Sequence, residues 1–223
     1  MSDIGVSISA VRGRIADACA RVGRRPEEVR LIAVTKKVDA ERVREAASFG
    51  LSEFGENYVQ EAQRKIDAVG PGPTWHMIGH VQTNKAKYVC RLFKCVHSVD
   101  RGALLSEFER LANPLDVLFE VNLSQEPQKH GAVEEALRPL LEKAAAMRYV
   151  RPIGLMTMPP FDEDPEKSRP YFAALRALLV SVNKDLGLGM TELSMGMSAD
   201  FEVAIEEGAT MVRVGTAIFG ERL

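Results

Sequence analysis

The chain has 223 residues, 46% hydrophobic and 27% charged, which is the composition of an ordinary folded domain with a substantial core. Its formal net charge is −2 and its basic residues are interspersed with acids, so neither nucleic acid nor an anionic membrane is an expected partner. Cys19, Cys90 and Cys95 are odd in number and spaced for neither a disulfide framework nor a CxxC pair, which predicts reduced thiols in a cytoplasmic protein.

At the N-terminus, Ile4, Ile8, Val11, Ile15, Ala18, Cys19 and Val22 recur at helical spacing, and arginines interrupt any continuous apolar run. That pattern predicts an amphipathic helix ending near Gly23 and not a signal peptide. No run approaches the roughly 18 apolar residues needed to span a bilayer. From Arg30 onward, short β-rich runs alternate with helical patterns. Strands are predicted at 31–35, 53–55, 75–78, 95–98, 117–122, 153–157, 192–195 and 211–214. Helices are predicted near 39–49, 56–68, 83–91, 101–112, 132–146, 165–184 and 199–207. Strict alternation predicts parallel pairing and an α/β fold, and the strand count favours a closed (β/α)8 TIM barrel forming a single domain over 1–223. The run Ser52-Glu53-Phe54-Gly55 is short and only partly apolar, so an open doubly wound sheet stands as the alternative.

Lys36 follows the apolar run Leu31-Ile32-Ala33-Val34-Thr35. An amine at a strand end forms a Schiff base with an aldehyde once it loses its proton, which a desolvated pocket encourages. Taken alone, Lys36 and Lys37 mark only where a strand meets solvent. In barrels of this kind a phosphate is often held by the loops after strands seven and eight. Here those loops carry Gly196-Met197-Ser198 and Gly215-Thr216. Ser198 reads as the N-cap of the 199–207 helix, whose first N–H groups suit an anion. The plain alternative is a cap and nothing more, and Asp200 in the first turn repels a phosphate unless it points away. Gly215 and Thr216 offer a close backbone approach and a hydroxyl. Arg213 shares strand parity with Met211 and Gly215; pointing inward it is a buried cation that needs a partner such as a pyridine nitrogen, and pointing outward it is a surface arginine. Lys36, Ser198, Arg213, Gly215 and Thr216 together spell a pyridoxal phosphate site.

The segments Val34-Thr35-Lys36, Phe54-Gly55-Glu56-Asn57, Trp75-His76-Met77-Ile78-Gly79 through Gln82-Thr83-Asn84-Lys85, Gly154-Leu155-Met156-Thr157-Met158, Ser194 to Asp200 and Val212 to Gly220 resemble, in order, the YggS/PROSC family of pyridoxal phosphate homeostasis proteins. The resemblance implies a fold-type III barrel similar to the N-terminal domain of alanine racemase. It implies Lys36 as the Schiff-base lysine and Asn57 near pyridoxal 5'-phosphate (PLP). It further implies Ser198, Gly215 and Thr216 on the phosphate, with Arg213 facing the ring nitrogen. His80 stands where the family's Ile-Gly-Pro-Leu-Gln stretch has proline, which bears on loop shape.

His76 and His80 have HxxxH spacing, but four extended residues span about 13 Å, too far for one metal unless a turn folds them together, so no metal site is expected. Cys90 and Cys95 read as structural thiols. The expected function is a monomeric PLP-binding protein that carries, stores or delivers the cofactor, with apo-PLP enzymes as recipients and no catalytic residue assigned. A racemase of this architecture adds a second domain and a tyrosine on the opposite face, whereas this chain ends at Leu223. An arginine, with a pKa above about 12, does not protonate a ring nitrogen, which disfavours transamination. The alternatives are a small amino-acid racemase or lyase-type enzyme using His80 or Tyr58 as second acid/base, and a cofactor-free Schiff-base aldolase. Lys85 and Lys129 are candidate secondary amines for transient capture, with solvated surface lysines as the plainer reading.

Overall fold

A strand covered by helices on one side and by its own barrel on the other is buried on both faces, which is why these runs read as continuous apolar stretches and not as alternating ones. The computed structural model describes residues 3–124, 126 and 130–221. In it β1 (Arg30–Val34), β2 (Glu53–Glu56), β3 (Thr74–Met77), β4 (Cys95–Val99), β5 (Leu115–Glu120), β6 (Val150–Met156), β7 (Glu192–Ser194) and β8 (Met211–Val214) form a closed barrel in sequence order. Every ladder is parallel, including the β1–β8 pair that shuts it. The open sheet is thereby excluded: short β2 holds its place because buried Phe54 sits in register with Ala33 on one side and Trp75 on the other.

The helices are α1 (Asp3–Arg21), α2 (Ala40–Ser48), α3 (Val59–Val69), α4 (Ala86–Leu92), α5 (Gly102–Arg110), α6 (Glu134–Ala145), α7 (Arg169–Leu186), α8 (Phe201–Glu206) and α9 (Thr216–Phe219). The N-terminal helix α1 buries the stripe Ile4, Ile8, Val11, Ile15, Ala18 and Cys19, as its periodicity predicts, and packs on α8 and α9, whereas Val22 lies past the helix end and is exposed. Among the described residues, no helix is long and apolar enough to cross a membrane.

Some predicted boundaries shift for local reasons. The helix expected from 56 starts at Val59, because Glu56 still belongs to β2. The helices expected from 83 and 165 open with 3-10 turns, Thr83–Lys85 and Pro165–Ser168, before α4 and α7 begin. Strand β6 starts at Val150 and includes Pro152; its register with β5 steps from Val117↔Pro152 to Leu118↔Gly154, and this irregularity accommodates the residue with no N–H. All three cysteines are buried and free, and burial pushes the Cys90 thiol up to about 11, as suits structural thiols.

Strand parity now has a direction. Val212 and Val214 enter the core between strands and helices, whereas Met211 joins Ile32, Cys95, Leu118 and Met156 inside the barrel. Arg213 therefore points inward.

Candidate functional site

The C-terminal ends of the strands surround a cavity of about 900 Å³ whose wall includes Lys36, Asn57, Ser198, Arg213, Gly215 and Thr216. All six residues singled out in the sequence thus meet in one place. The presentation of Lys36 depends on a turn and not on strand pleat. Strand β1 stops at Val34, and a hydrogen bond from the Val38 N–H to the Thr35 carbonyl (2.9 Å) closes the turn around Lys36 and Lys37. Lys37 has φ +59 and is exposed, whereas Lys36 is half-buried in the cavity wall. The left-handed residue, and not strand pleat, separates the two lysines.

Beneath the turn lies a buried network that the sequence reading does not name. Thr35 Oγ1 donates to Glu56 Oε1 (2.6 Å), and Lys65 Nζ donates to Glu56 Oε1 (2.7 Å), Glu61 Oε1 (2.6 Å) and the Thr35 carbonyl. The Lys37 N–H donates to the same Glu61 oxygen, so the turn is held from two sides. Burial pushes the Glu56 carboxyl up, against the hydrogen bonds from Lys65 and Thr35. The i,i+4 spacing of Glu61 and Lys65 on α3 was the available sequence signal.

Asn57 leaves β2 with its side-chain oxygen buried and without a hydrogen-bond partner among the described residues. Its backbone is clasped by the exit of β3, where a Cβ on Gly79 would lie 2.5 Å from the Asn57 carbonyl oxygen, so only glycine fits. Ser98 Oγ donates to the Gly79 carbonyl (2.6 Å) and fixes that approach.

Ser198 is not the helix cap expected. Residues 198–200 form a turn, α8 begins only at Phe201, and Asp200 Oδ1 accepts the Met197 N–H (2.7 Å) while Oδ2 accepts from Ser168 Oγ (3.0 Å). Asp200 is thus engaged in its own loop. That frees Ser198 Oγ to reach β8, where it accepts from the N–H groups of Gly215 and Ala217, both at 3.3 Å. Those distances are long for N–H···O bonds, so the donors are exchangeable for a better acceptor. Gly215 is buried, and Thr216 is exposed at the cavity wall.

Arg213 is 4% exposed and donates to Ser194 Oγ (2.6 Å) and to the Thr157 carbonyl (3.1 Å). Burial lowers its pKa to about 10, opposed by Glu120 and Asp200, which leaves it charged at neutral pH. From Ser194 a polar chain continues through the barrel: Ser194 Oγ lies 2.8 Å from His97 Nδ1, and His97 Nε2 lies 2.9 Å from His76 Nδ1. His76 Nε2 then comes within 2.9 Å of Glu53 Oε2, a close pair that lacks the alignment of a hydrogen bond. Burial holds His97 well below the usual histidine range, hence neutral. Burial alone pushes Glu53 up, but its close contact and charge interaction with His76, helped by Arg30, bring it lower overall. Glu120, buried in the cavity wall, is raised to about 7 by burial and by Asp100, against the pull of Arg213. His97, Ser194 and Glu120 were missed; their only signal was polarity at inward positions of strands that otherwise carry apolar residues.

The HxxxH pair does not form: His76 meets His97 inside the barrel, and His80 lies outside on the rim. Lys85 lies in the cavity wall, its Nζ 6.0 Å from the Tyr88 ring centroid. Lys129 lies outside the described residues.

The family model described as "Alanine racemase, N-terminal domain" matches residues 6–223, and this places the chain in that class of barrels. Among curated proteins, the pyridoxal phosphate homeostasis protein of Aquifex aeolicus (strain VF5) is 44% identical over 220 residues, covering 96% of this chain and 96% of that protein. The protein of the same name from Escherichia coli (strain K12) is 38% identical over 232 residues, covering 100% and 98%. The chain belongs to the pyridoxal phosphate homeostasis protein family. Of solved structures, PipY of Synechococcus elongatus PCC7942 with PLP bound superposes with a TM-score of 0.83 at 36% identity, over 92% of this chain and 100% of that one. An alanine racemase from Clostridium difficile 630 shares the fold (TM-score 0.75, 13% identity), with 99% of this chain matching 57% of that enzyme.

Proposed function

We propose that this chain binds PLP covalently on Lys36 and serves PLP homeostasis as a carrier or reservoir, without efficient turnover of its own. The observation that carries the reading is the convergence of Lys36, Asn57, Ser198, Arg213, Gly215 and Thr216 on one cavity, with a buried amide oxygen on Asn57 that has no hydrogen-bond partner among the described residues. The donor set suits a phosphorylated pyridine aldehyde: an amine, a buried guanidinium, and two backbone N–H groups now resting on a hydroxyl. When bound, PLP supplies an aldehyde that condenses with Lys36 as a Schiff base and a ring that withdraws electrons strongly only if its nitrogen is protonated. Arg213, tied to Ser194 and Thr157, would meet the ring nitrogen as a donor that keeps its own proton. Ser198, Gly215 and Thr216 would hold the phosphate. The Glu56–Lys65–Glu61 network keeps the Lys36 turn in one conformation. The names of the relatives support a homeostatic role, with apo-PLP enzymes as the recipients.

Borohydride reduction of the loaded protein followed by peptide mapping is expected to find the adduct on Lys36, and Lys36→Ala is expected to abolish it. An adduct on Lys37 or elsewhere, with Lys36 unmodified, contradicts the site. Transfer to an apoenzyme in the presence of an aldehyde trap, run beside incubations with L- and D-amino acids, tests the role. Turnover of an amino acid at rates typical of enzymes, abolished by Lys36→Ala, overturns the carrier in favour of a catalyst.

A further inference from the structure

The exits of β3, β4 and β5 bring His80, Asp100 and His130 together, and both histidines stand in the cavity wall. One ligand atom from each of the three lies within 4.8 Å of the others. The two imidazoles stack with centroids 4.2 Å apart and planes 18° apart, and His80 Nδ1 is 3.6 Å from Asp100 Oδ2. The carboxylate is already oriented: Asp100 Oδ1 accepts from Arg101 (2.6 Å), and Arg101 also donates to the Val81 carbonyl. Oδ2 is the oxygen left toward His80. His80 stands in place of the proline that the family resemblance leads one to expect, and unlike proline it carries a side-chain ligand atom. The other histidine cluster, His76 with Cys95 and His97, is buried, and both ring nitrogens of His97 and Nδ1 of His76 are engaged along the polar chain.

We propose that His80, Asp100 and His130 bind an imidazole-preferring divalent cation of the Zn2+ or Co2+ class, which ties three βα loops across the cavity mouth and slows passage of the cofactor. Two imidazole nitrogens and one carboxylate oxygen are a ligand set for such cations that leaves coordination positions open to water. With bonds of roughly 2.0–2.1 Å, tetrahedral ligands sit roughly 3.4 Å apart, so the contact at 3.6 Å is nearly there, whereas the stacked His80 and His130 rings have to turn out of their parallel arrangement for both in-plane lone pairs to meet one ion. Coordination through His80 Nδ1 leaves Nε2 carrying a proton, so the 3.5 Å contact between Nε2 and Arg101 has to open. The Arg101–Asp100 bond remains as the outer support of the carboxylate. The metal site stands on these three residues alone; only the effect on cofactor passage rests on the proposed PLP reading.

Tag-free full-length protein without cofactor is titrated with Co2+, followed by its visible absorption, and with Zn2+ by calorimetry. One equivalent is expected to bind, with affinity falling at least about tenfold in His80→Ala and in His130→Ala and persisting in Cys95→Ala, each variant checked for native circular dichroism. Absence of saturable binding, or binding that survives both histidine variants, overturns the site. Binding lost in Cys95→Ala assigns the metal to the buried cluster and overturns it equally. In PLP-loaded protein, Zn2+ is expected to slow transfer to an apoenzyme several-fold in the wild type and not in His80→Ala. Equal rates with and without Zn2+ overturn the clamp.

Discussion

Between the strands and the helices the buried side chains are mostly apolar, from Ile8 on α1 through Phe108 on α5 to Phe219 on α9, with the buried Glu56–Lys65 pair beneath the Lys36 turn set among them. Inside the barrel, Ile32, Cys95, Leu118, Met156 and Met211 share the space with His76, His97, Ser194 and Arg213. The outer shell needs only volume and hydrophobicity, and many sequences supply that. The interior chain is a different kind of object, because each buried polar group needs a partner and the loss of one strands the next. A protein that wanted only stability would fill that space with aliphatic side chains. What this interior chain holds in place is the guanidinium of Arg213 in the cavity wall.

The sharpest test of this division is Phe108→Ala in the outer shell. Removing a fully buried phenylalanine costs about 3–5 kcal/mol, read as a lower denaturant midpoint. Cofactor affinity of the folded fraction is expected to stay unchanged, and a parallel loss of affinity would break the comparison.

Glu120→Gln probes the interior through pH. The folded carboxyl is raised to about 7 from an ordinary 4.5, so the folded state binds more protons than the unfolded state between these values. Its stabilising contribution is therefore complete below about pH 4.5 and lost as pH rises through about 7, by on the order of 3 kcal/mol at most. The glutamine variant is expected to flatten this decline in a pH series of thermal or denaturant unfolding. An identical profile in the variant would assign the decline elsewhere.

Ser198→Ala should have the smallest effect, and on binding alone. The hydroxyl accepts two long hydrogen bonds, so its loss should barely move the melting temperature. If Ser198 holds the phosphate as proposed, losing that charge-assisted contact costs on the order of 1.5–3 kcal/mol, roughly a tenfold to hundredfold weaker cofactor affinity by absorbance titration. A large stability loss with unchanged affinity would mean that Ser198 is structural.

The alternation of β-rich and helical runs, the buried stripe of α1 and the place of Lys36 just past β1 were legible in the chain itself, because periodicity and turn residues are local properties. The family resemblance added Asn57, and strand order together with loop position added Gly215 and Thr216. Closure of the barrel, the inward direction of Arg213 and the split between Lys36 and Lys37 were decided only by the tertiary structure. Parity tells that two residues face opposite ways but not which way is in, and a left-handed turn overrides pleat altogether. The remaining contacts join strands and loops that only the closed barrel makes neighbours: His97 meets Ser194 across 97 residues, Lys65 reaches back 30 residues to Thr35, and His80 stacks on His130. Sequence determined the elements and the amine, because these follow from spacing along one chain. The company each side chain keeps followed from closure of the barrel, because non-local contacts exist only once the sheet has curled onto itself.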